Sequence, residues 1–287
     1  MVVSRARPLS PVDHSRDSAG LIYVYPVISR RAGGVSVGIN LNINNACNWR
    51  CIYCQVPGLS RGAPAPVDLP VLRRELSGFL HDVLHGDFLT VRVPEGARQL
   101  NDIALSGNGE PTSARQFEQV VDLIGEVRSE SRVPGTVKTV LITNGSLIQR
   151  KGVQSGIKKL AALNGEVWFK LDRATDAGRR RVNNVRIGVA RVRANLALAA
   201  QFCPTWIQTC VFAIDGKAPG AVEREAYLKF LRGCRADSIS LQGVLLYGLA
   251  RPSLQPEAPR LTPLSPAEME TFAQEIRALG FAVKVTP

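Results

Sequence analysis

Apolar residues recur along the chain in two alternating rhythms. From Val35 to Ile43 every second residue is apolar (Val35, Val37, Ile39, Leu41, Ile43), the period of a strand with one buried face. Between 69 and 84, Leu72, Leu76, Leu80 and Leu84 stand four apart, which predicts a helix with one buried stripe. The same exchange of rhythms continues to the end. It predicts strands over 102–105, 137–142, 167–171, 206–214 and 238–247, and helices over 114–127, 150–163, 174–181, 187–200 and 221–231. Strand and helix alternate about six times from residue 35 on, which implies a parallel sheet with right-handed crossovers, a complete or partial α/β barrel.

The ends frame this core. Residues 1–19 read as a loosely packed arm, 21–28 as a further strand, and Arg30 to Gly34 as a turn. Residues 251–266 hold five prolines and predict an extended linker. Ser265, with Pro266 next and Glu268 three residues on, forms a capping box that opens a last helix, which Gly280 stops before a strand over 281–285. The expected organisation is therefore 1–34 as arm and strand, 35–250 as core, and 251–287 as linker, helix and strand.

Composition narrows the class. With 287 residues, 45% of them hydrophobic, the chain can fill one large α/β core or two small ones. Six cysteines are too few for a disulfide scaffold, and three of them cluster, which points to a reducing compartment. Residues 1–20 lack the apolar core of a signal peptide, and no run approaches the length of a membrane span, so the expectation is a cytoplasmic protein with no membrane partner. A net charge of +12 favours anionic partners, RNA or an anionic small substrate.

The chemistry centres on Cys47, Cys51 and Cys54, spaced C-x3-C-x2-C directly after the strand over 35–43. Loops at the C-terminal ends of parallel strands are where α/β barrels carry their chemistry. A compact loop of this spacing can wrap three thiolates around a cubane iron–sulfur cluster and leaves one iron open. An open coordination position is a place to bind and activate a ligand. A zinc knuckle is the competing reading, but C-x3-C-x2-C is not a usual zinc spacing.

Cys47, Cys51, Tyr53 and Cys54 spell C-x3-C-x-aromatic-C, and here the chain resembles the radical S-adenosylmethionine (radical SAM) superfamily, more loosely its wyosine-forming tRNA enzyme branch. The resemblance implies a partial (β/α)6 barrel with an N-terminal β-hairpin extension. It implies a [4Fe-4S] cluster on the three cysteines, with S-adenosylmethionine on the open iron and Tyr53 beside the adenine. It also implies reductive cleavage to a 5′-deoxyadenosyl radical that abstracts hydrogen from a substrate, with flavodoxin or ferredoxin as reductant. The substrate expected is a small molecule or peptide, with tRNA or RNA base modification as the alternative and a non-catalytic iron–sulfur or zinc module as a remote one.

Further stretches fit the resemblance. Gly107, Asn108, Gly109, Glu110 and Pro111 follow the strand over 102–105, where the family holds the cofactor's amino group on G-G-E-P; Asn108 stands in place of the first glycine. Thr143 and Asn144, before Gly145, end the next strand and are expected to face the cofactor. Period-two alternation places Trp168, Lys170 and Asp172 on one face; relatives use this strand end for the ribose hydroxyls and methionine carboxylate, here Asp172 and Lys170. Gln208 shares a face with Cys210 and Phe212, and Arg251 ends the sixth strand as a possible anion clamp. Cys203, Cys210 and Cys234 are expected as buried thiols. The arginines at 173, 179, 180, 181, 186, 191 and 193 form the best candidate polyanion patch, although no aromatics are interleaved for base stacking.

Overall fold

The structure is a computed structural model that describes residues 9–10, 19–29 and 33–287. The expected arm, apart from Leu9, Ser10 and Ala19, and the turn residues Arg30 to Ala32 lie outside the described residues. The elements run β1 (Val24–Ser29), β2 (Gly34–Ile39), the short pieces β3 (Ala46–Cys47) and β4 (Ser60–Arg61), α1 (Leu69–His85), α2 (Phe88–Arg92), β5 (Leu100–Leu105), α3 (Phe117–Glu130), β6 (Lys138–Thr143), α4 (Lys151–Ala161) and β7 (Gly165–Lys170). They continue α5 (Asp176–Asn183), α6 (Val189–Phe202), β8 (Thr205–Cys210), β9 (Ala213–Ile214), α7 (Ala221–Ala236), β10 (Gly243–Tyr247), β11 (Leu261–Thr262), α8 (Pro266–Arg277) and β12 (Val283–Thr286).

One sheet of eight strands, in the order β1-β2-β5-β6-β7-β8-β10-β12, carries the molecule. All its pairings are parallel except β1 with β2, so the sheet is a curled partial barrel closed off at one edge by a hairpin. Alternation along the strands sorts side chains to two faces. Ile103, Leu105, Leu141, Val167, Phe169 and Ile207 point outward and pack under the helices in the main core. Ala104, Val140, Trp168, Trp206 and Leu245 point inward and form a separate apolar floor inside the barrel. Trp168 and Lys170 share one face, as period two requires, and that face is the interior one.

Edges and ends are satisfied locally. The backbone N–H groups of Ile22 and Tyr23, just before β1, donate to the buried carboxylate of Glu75 on α1 at 2.9 and 2.8 Å. α1 is capped by Asp68, whose side chain accepts from Val71 N at 3.0 Å, and α8 carries the capping box of Ser265 and Glu268.

Three expectations change in detail. The strand expected over 206–214 stops at Cys210, and Ala213–Ile214 turns away to pair with Leu261–Thr262. The strand expected from 238 begins at Gly243, whose positive φ of 142° makes the bend; a Cβ there would sit 2.3 Å from the Ala282 carbonyl oxygen. The expected linker 251–266 is not free chain: it includes a turn of 3₁₀ helix at Ala258–Arg260 and the β11 pairing, and it lies against the cysteine loop. Prolines exclude long regular elements but not tight packing, which is why composition alone reads this segment as a linker.

Candidate active site

The loops that leave the C-terminal ends of β2, β5, β6, β7, β8 and β10 converge on one cavity of about 310 Å³, within the range of small-ligand clefts. Cys47, Cys51 and Cys54 stand along its wall with Tyr53; Gly107, Asn108, Gly109 and Glu110 form another side. Asn144, Lys170, Gln208, Cys210 and Tyr247 also line it, as does Arg251. Of the predicted site residues, Pro111, Thr143 and Asp172 stand behind this wall. Thr143 and Asp172 are tied into it from there through Glu110 and Tyr53.

The glycine-rich stretch works by close approach. Gly107 has φ of 143°, and a Cβ on it would meet Asn40 Oδ1 at 2.4 Å. At Gly109 a Cβ would meet the Ala46 carbonyl oxygen at 2.3 Å. Both glycines therefore let this loop pack on the strand of asparagines that feeds the cysteine loop. The positive φ falls on Gly107 and not on Asn108, so the asparagine in the expected glycine position costs no backbone strain. Asn108 donates its backbone N–H to Asn40 Oδ1 at 3.0 Å and its Nδ2 to Asn45 Oδ1 at 2.6 Å.

Glu110 is a brace. Its Oε1 accepts from Thr112 N at 3.1 Å, Thr112 Oγ1 at 2.6 Å and Thr143 Oγ1 at 2.6 Å, and its Oε2 accepts from Asn144 N at 2.6 Å. Burial raises its pKa, and these hydrogen bonds from Thr112, Thr143 and Asn144 pull it back only in part. Pro111 opens a short 3₁₀ turn that holds Thr112 in place. Asn144 in turn donates Nδ2 to Asn48 Oδ1 at 2.8 Å, and Asn48 donates Nδ2 to Ser146 Oγ at 2.8 Å. The end of β6 thus holds the residue next to Cys47.

Asp172 is the second brace. Its Oδ2 accepts from Tyr53 OH at 2.5 Å and Asn183 Nδ2 at 2.7 Å, and its Oδ1 accepts from Cys210 N at 3.0 Å. Asn183 also reaches Cys51 Sγ at 3.3 Å. The ring of Tyr53 tilts against Phe212 with centroids 5.3 Å apart. Burial and the neighbouring Asp172 hold the Tyr53 phenol well above its usual pKa. Lys170 places its ammonium 4.9 Å from the Tyr53 ring centroid and 3.0 Å from Tyr247 OH. Burial alone would lower its pKa; Tyr247 and Asp172 beside it outweigh burial and hold it well above the ordinary lysine value.

Two side-chain acceptors on cavity-lining residues lack hydrogen-bond donors. Among the described residues, Gln208 Oε1 and Asn108 Oδ1 are buried and accept no hydrogen bond. A buried acceptor left open costs free energy unless something donates to it, so both favour a ligand with donor groups. The thiols have their own surroundings: Trp49 N lies 3.4 Å from Cys47 Sγ. Burial pushes the Cys47 thiol up to about 11 and Cys51 up to about 12. Among the described residues, no three cysteine, histidine or acidic side chains gather around a single ion. A cubane asks for something different, since each thiolate binds a separate iron. The three thiols line one cavity, and a set of three separate thiolates fits a cubane cluster with room for a ligand beside it.

Sequence reasoning missed the supports. Asn40 and Asn42 alternate at the end of β2, and that run of asparagines was a visible signal. Asn183, Ser253 and Gln255 carry no local pattern that marks them. The remaining cysteines, Cys203, Cys210 and Cys234, are free and buried. The arginine window divides: Arg173 and Arg179 are buried, Arg181 and Arg193 lie 3.8 and 3.4 Å from Asp215 and Asp237, and Arg180, Arg186 and Arg191 are exposed. No helix among the described residues is long and apolar enough to cross a membrane.

No family model matches the chain. It is 27% identical to a UPF0026 protein of Helicobacter pylori over 152 residues, which are 51% of this chain and 41% of that protein; the chain thus spans under half the length of this curated relative. Among solved structures, a radical SAM methyltransferase from Sphaerobacter thermophilus superposes with a TM-score of 0.57 at 18% identity, covering 88% of this chain and 66% of that one. TYW1, solved with a lysine-pyruvate adduct bound, gives a TM-score of 0.56 at 16% identity, covering 86% of this chain and 74% of that one. The chain has the fold of radical SAM enzymes and carries their cysteine motif on a loop at the mouth of the barrel.

Proposed function

We propose that Cys47, Cys51 and Cys54 hold a [4Fe-4S] cluster and that the adjoining cavity binds S-adenosylmethionine and a small-molecule or peptide substrate. The observation that carries this reading is the placement of the three motif thiols on the lining of one cavity together with the glycine-rich loop of Gly107 to Glu110 and the ammonium of Lys170. When bound, such a cluster and cofactor supply reductive cleavage to a 5′-deoxyadenosyl radical that takes hydrogen from the substrate.

The chain's own part is position and exclusion. The loop of Gly107 to Glu110 offers its backbone at close range for the cofactor's ammonium group. Lys170 supplies a fixed positive charge for a carboxylate, on the wall next to Tyr53. Gln208 Oε1 accepts from a ligand hydroxyl or amine. Asp172 acts at one remove, since its oxygens already receive Tyr53, Asn183 and Cys210; it keeps the cysteine loop seated. The inward Trp168, Trp206 and Leu245 make a dry floor that shields reactive species from water. An external reductant such as flavodoxin or ferredoxin delivers the electron.

The test is anaerobic reconstitution with iron and sulfide, then dithionite and S-adenosylmethionine, with 5′-deoxyadenosine as product. The wild type is expected to form it and Cys51→Ala is not. A reconstituted chain that takes up no iron would overturn the reading.

A further inference from the structure

The proline-rich segment that follows β10 closes on the cysteine loop from outside. The carbonyl of Cys54 accepts from Leu254 N at 3.0 Å, Ser253 Oγ at 3.2 Å and Gln255 Nε2 at 3.4 Å. Ser253 Oγ also lies 2.7 Å from the Ile52 carbonyl, and because a hydroxyl has one proton, this shorter contact is its main bond. Gln255 has two amide protons and uses the other on the Val56 carbonyl at 3.2 Å. Gln255 N donates to Ser253 Oγ at 3.0 Å, which fixes the two side chains relative to each other. Both residues are buried. In the reverse direction Gln55 Nε2 donates to the Arg251 carbonyl at 3.2 Å. At the far end Arg50 meets Glu257 in a two-pronged ion pair at 2.6 and 3.2 Å.

These contacts reach every second carbonyl from Ile52 to Val56. The loop's own internal bond, Cys54 N to the Cys51 carbonyl at 3.0 Å, sets only the second thiol relative to the third. We infer that residues 251–257 are a clasp on the cysteine loop, and that Ser253 and Gln255 are positioning residues that hold Cys54 where a cluster needs it. The inference rests on the cluster reading for its purpose, but the clasp itself belongs to the chain alone. Pro252 and Pro256 bracket the two side chains and narrow the conformations open to the segment, so less entropy is lost when it seats. The clasp starts at Arg251, which lines the cavity, so one short segment spans from the cavity wall to the third thiol.

The first test uses the apo chain and the rate at which each cysteine is alkylated by iodoacetamide, read by peptide mapping. In Ser253→Ala/Gln255→Ala, Cys54 is expected to react about tenfold faster than in the wild type, because three side-chain hydrogen bonds to the loop are lost. Cys203 and Cys234 are buried away from the cavity and serve as internal controls that stay unlabelled. Ser253→Thr by itself keeps the hydroxyl and is expected to keep the wild-type rate. The second test reconstitutes the same chains and times iron release to a chelator, again expected about tenfold faster in the double variant. A Cys54 rate within about twofold of wild type overturns the clasp. Labelling of Cys203 and Cys234 alongside it would mean general loosening of the double variant, and the clasp is then decided by Glu257→Gln, which removes only the ion pair: faster labelling of Cys54 alone supports it, and an unchanged Cys54 rate overturns it. A wild-type chain that holds no iron sinks the cluster reading, while the alkylation rates still decide the clasp.

Discussion

Tyr53 donates its phenol to Asp172 across 2.5 Å, joining the cysteine loop to the end of β7, 119 positions further along the chain. The same carboxylate takes Asn183, which touches Cys51 Sγ, and the backbone of Cys210. Three parts of the fold therefore share one buried anion. Tyr53→Phe removes one donor and is expected to cost about 1–2 kcal/mol, a fall in Tm of roughly 2–6 °C for a chain of this size. Asp172→Ala strands three donors at once and is expected to cost more than twice as much. Thermal unfolding of the two variants checks the order; equal losses would mean that Asn183 and Cys210 gain nothing from Asp172, and no loss in Tyr53→Phe would mean that packing on Phe212 alone holds the ring.

Glu110 makes a sharper case because all four of its partners are donors. Gln at this position must turn an N–H toward another N–H or O–H. Glu110→Gln is thus expected to destabilise by about 2–3 kcal/mol despite its near-identical shape. The same change loosens Asn144 and through it Asn48, the neighbour of Cys47. Denaturant unfolding gives the first number. Iron retention after reconstitution gives the second, and a variant as stable as wild type would remove Glu110 from its bracing role.

How much of this was legible beforehand depends on the range of the interaction. The strand and helix order follows from apolar spacing, a local signal, and the cysteine loop from spacing within eight residues. That Trp168 and Lys170 share a face follows from period two, whereas which face is interior is set by how the sheet curls, which spacing alone leaves open. What could not be read is which polar side chains spend their hydrogen bonds inside the protein. Asp172 looks like a ligand contact from its position at a strand end. Its three partners, Tyr53, Asn183 and Cys210, come from three separate elements, and no local pattern announces them. Ser253 and Gln255 were hidden for the same reason within a proline-rich stretch that composition reads as loose.

The arginine window shows the same division and predicts opposite results for neighbours in sequence. Arg179 is 2% exposed, donates Nε to the Ile187 carbonyl at 2.9 Å and pairs with Asp176. Arg180 next to it is exposed. Arg179→Ala is expected to cost about 2–3 kcal/mol, from the lost packing and hydrogen bonds of a buried side chain whose partner Asp176 is itself exposed, whereas Arg180→Ala stays within about 0.5 kcal/mol. If RNA is a partner, its contacts fall to Arg180, Arg186 and Arg191. Changing those three to Ala would then flatten the salt dependence of tRNA binding by a log–log slope of roughly 2–3. An unchanged slope would remove this window from any nucleic-acid surface.

Gly109 tests the link between the glycine-rich loop and the cluster loop most directly. A Cβ there would lie 2.3 Å from the Ala46 carbonyl oxygen and 2.5 Å from Asn42 Nδ2. The asparagine side chain can move, but the Ala46 carbonyl belongs to the backbone one residue before Cys47 and is part of the β3–β4 pairing. Gly109→Ala must therefore displace Cys47 or its own loop. The expected cost is about 1–3 kcal/mol of stability, small enough to leave the fold intact. Iron uptake is expected to fall far more than stability does, because a cluster needs all three thiols in register. Gly135 is the control: a Cβ there meets nothing within 4 Å, so Gly135→Ala should leave iron uptake unchanged and stability equal or slightly higher. Iron per chain after reconstitution, set beside Tm for both variants, separates the two cases. A Gly109→Ala chain that loads as much iron as wild type would show that the glycine loop can yield without moving Cys47, and that the two loops are packed together but not coupled.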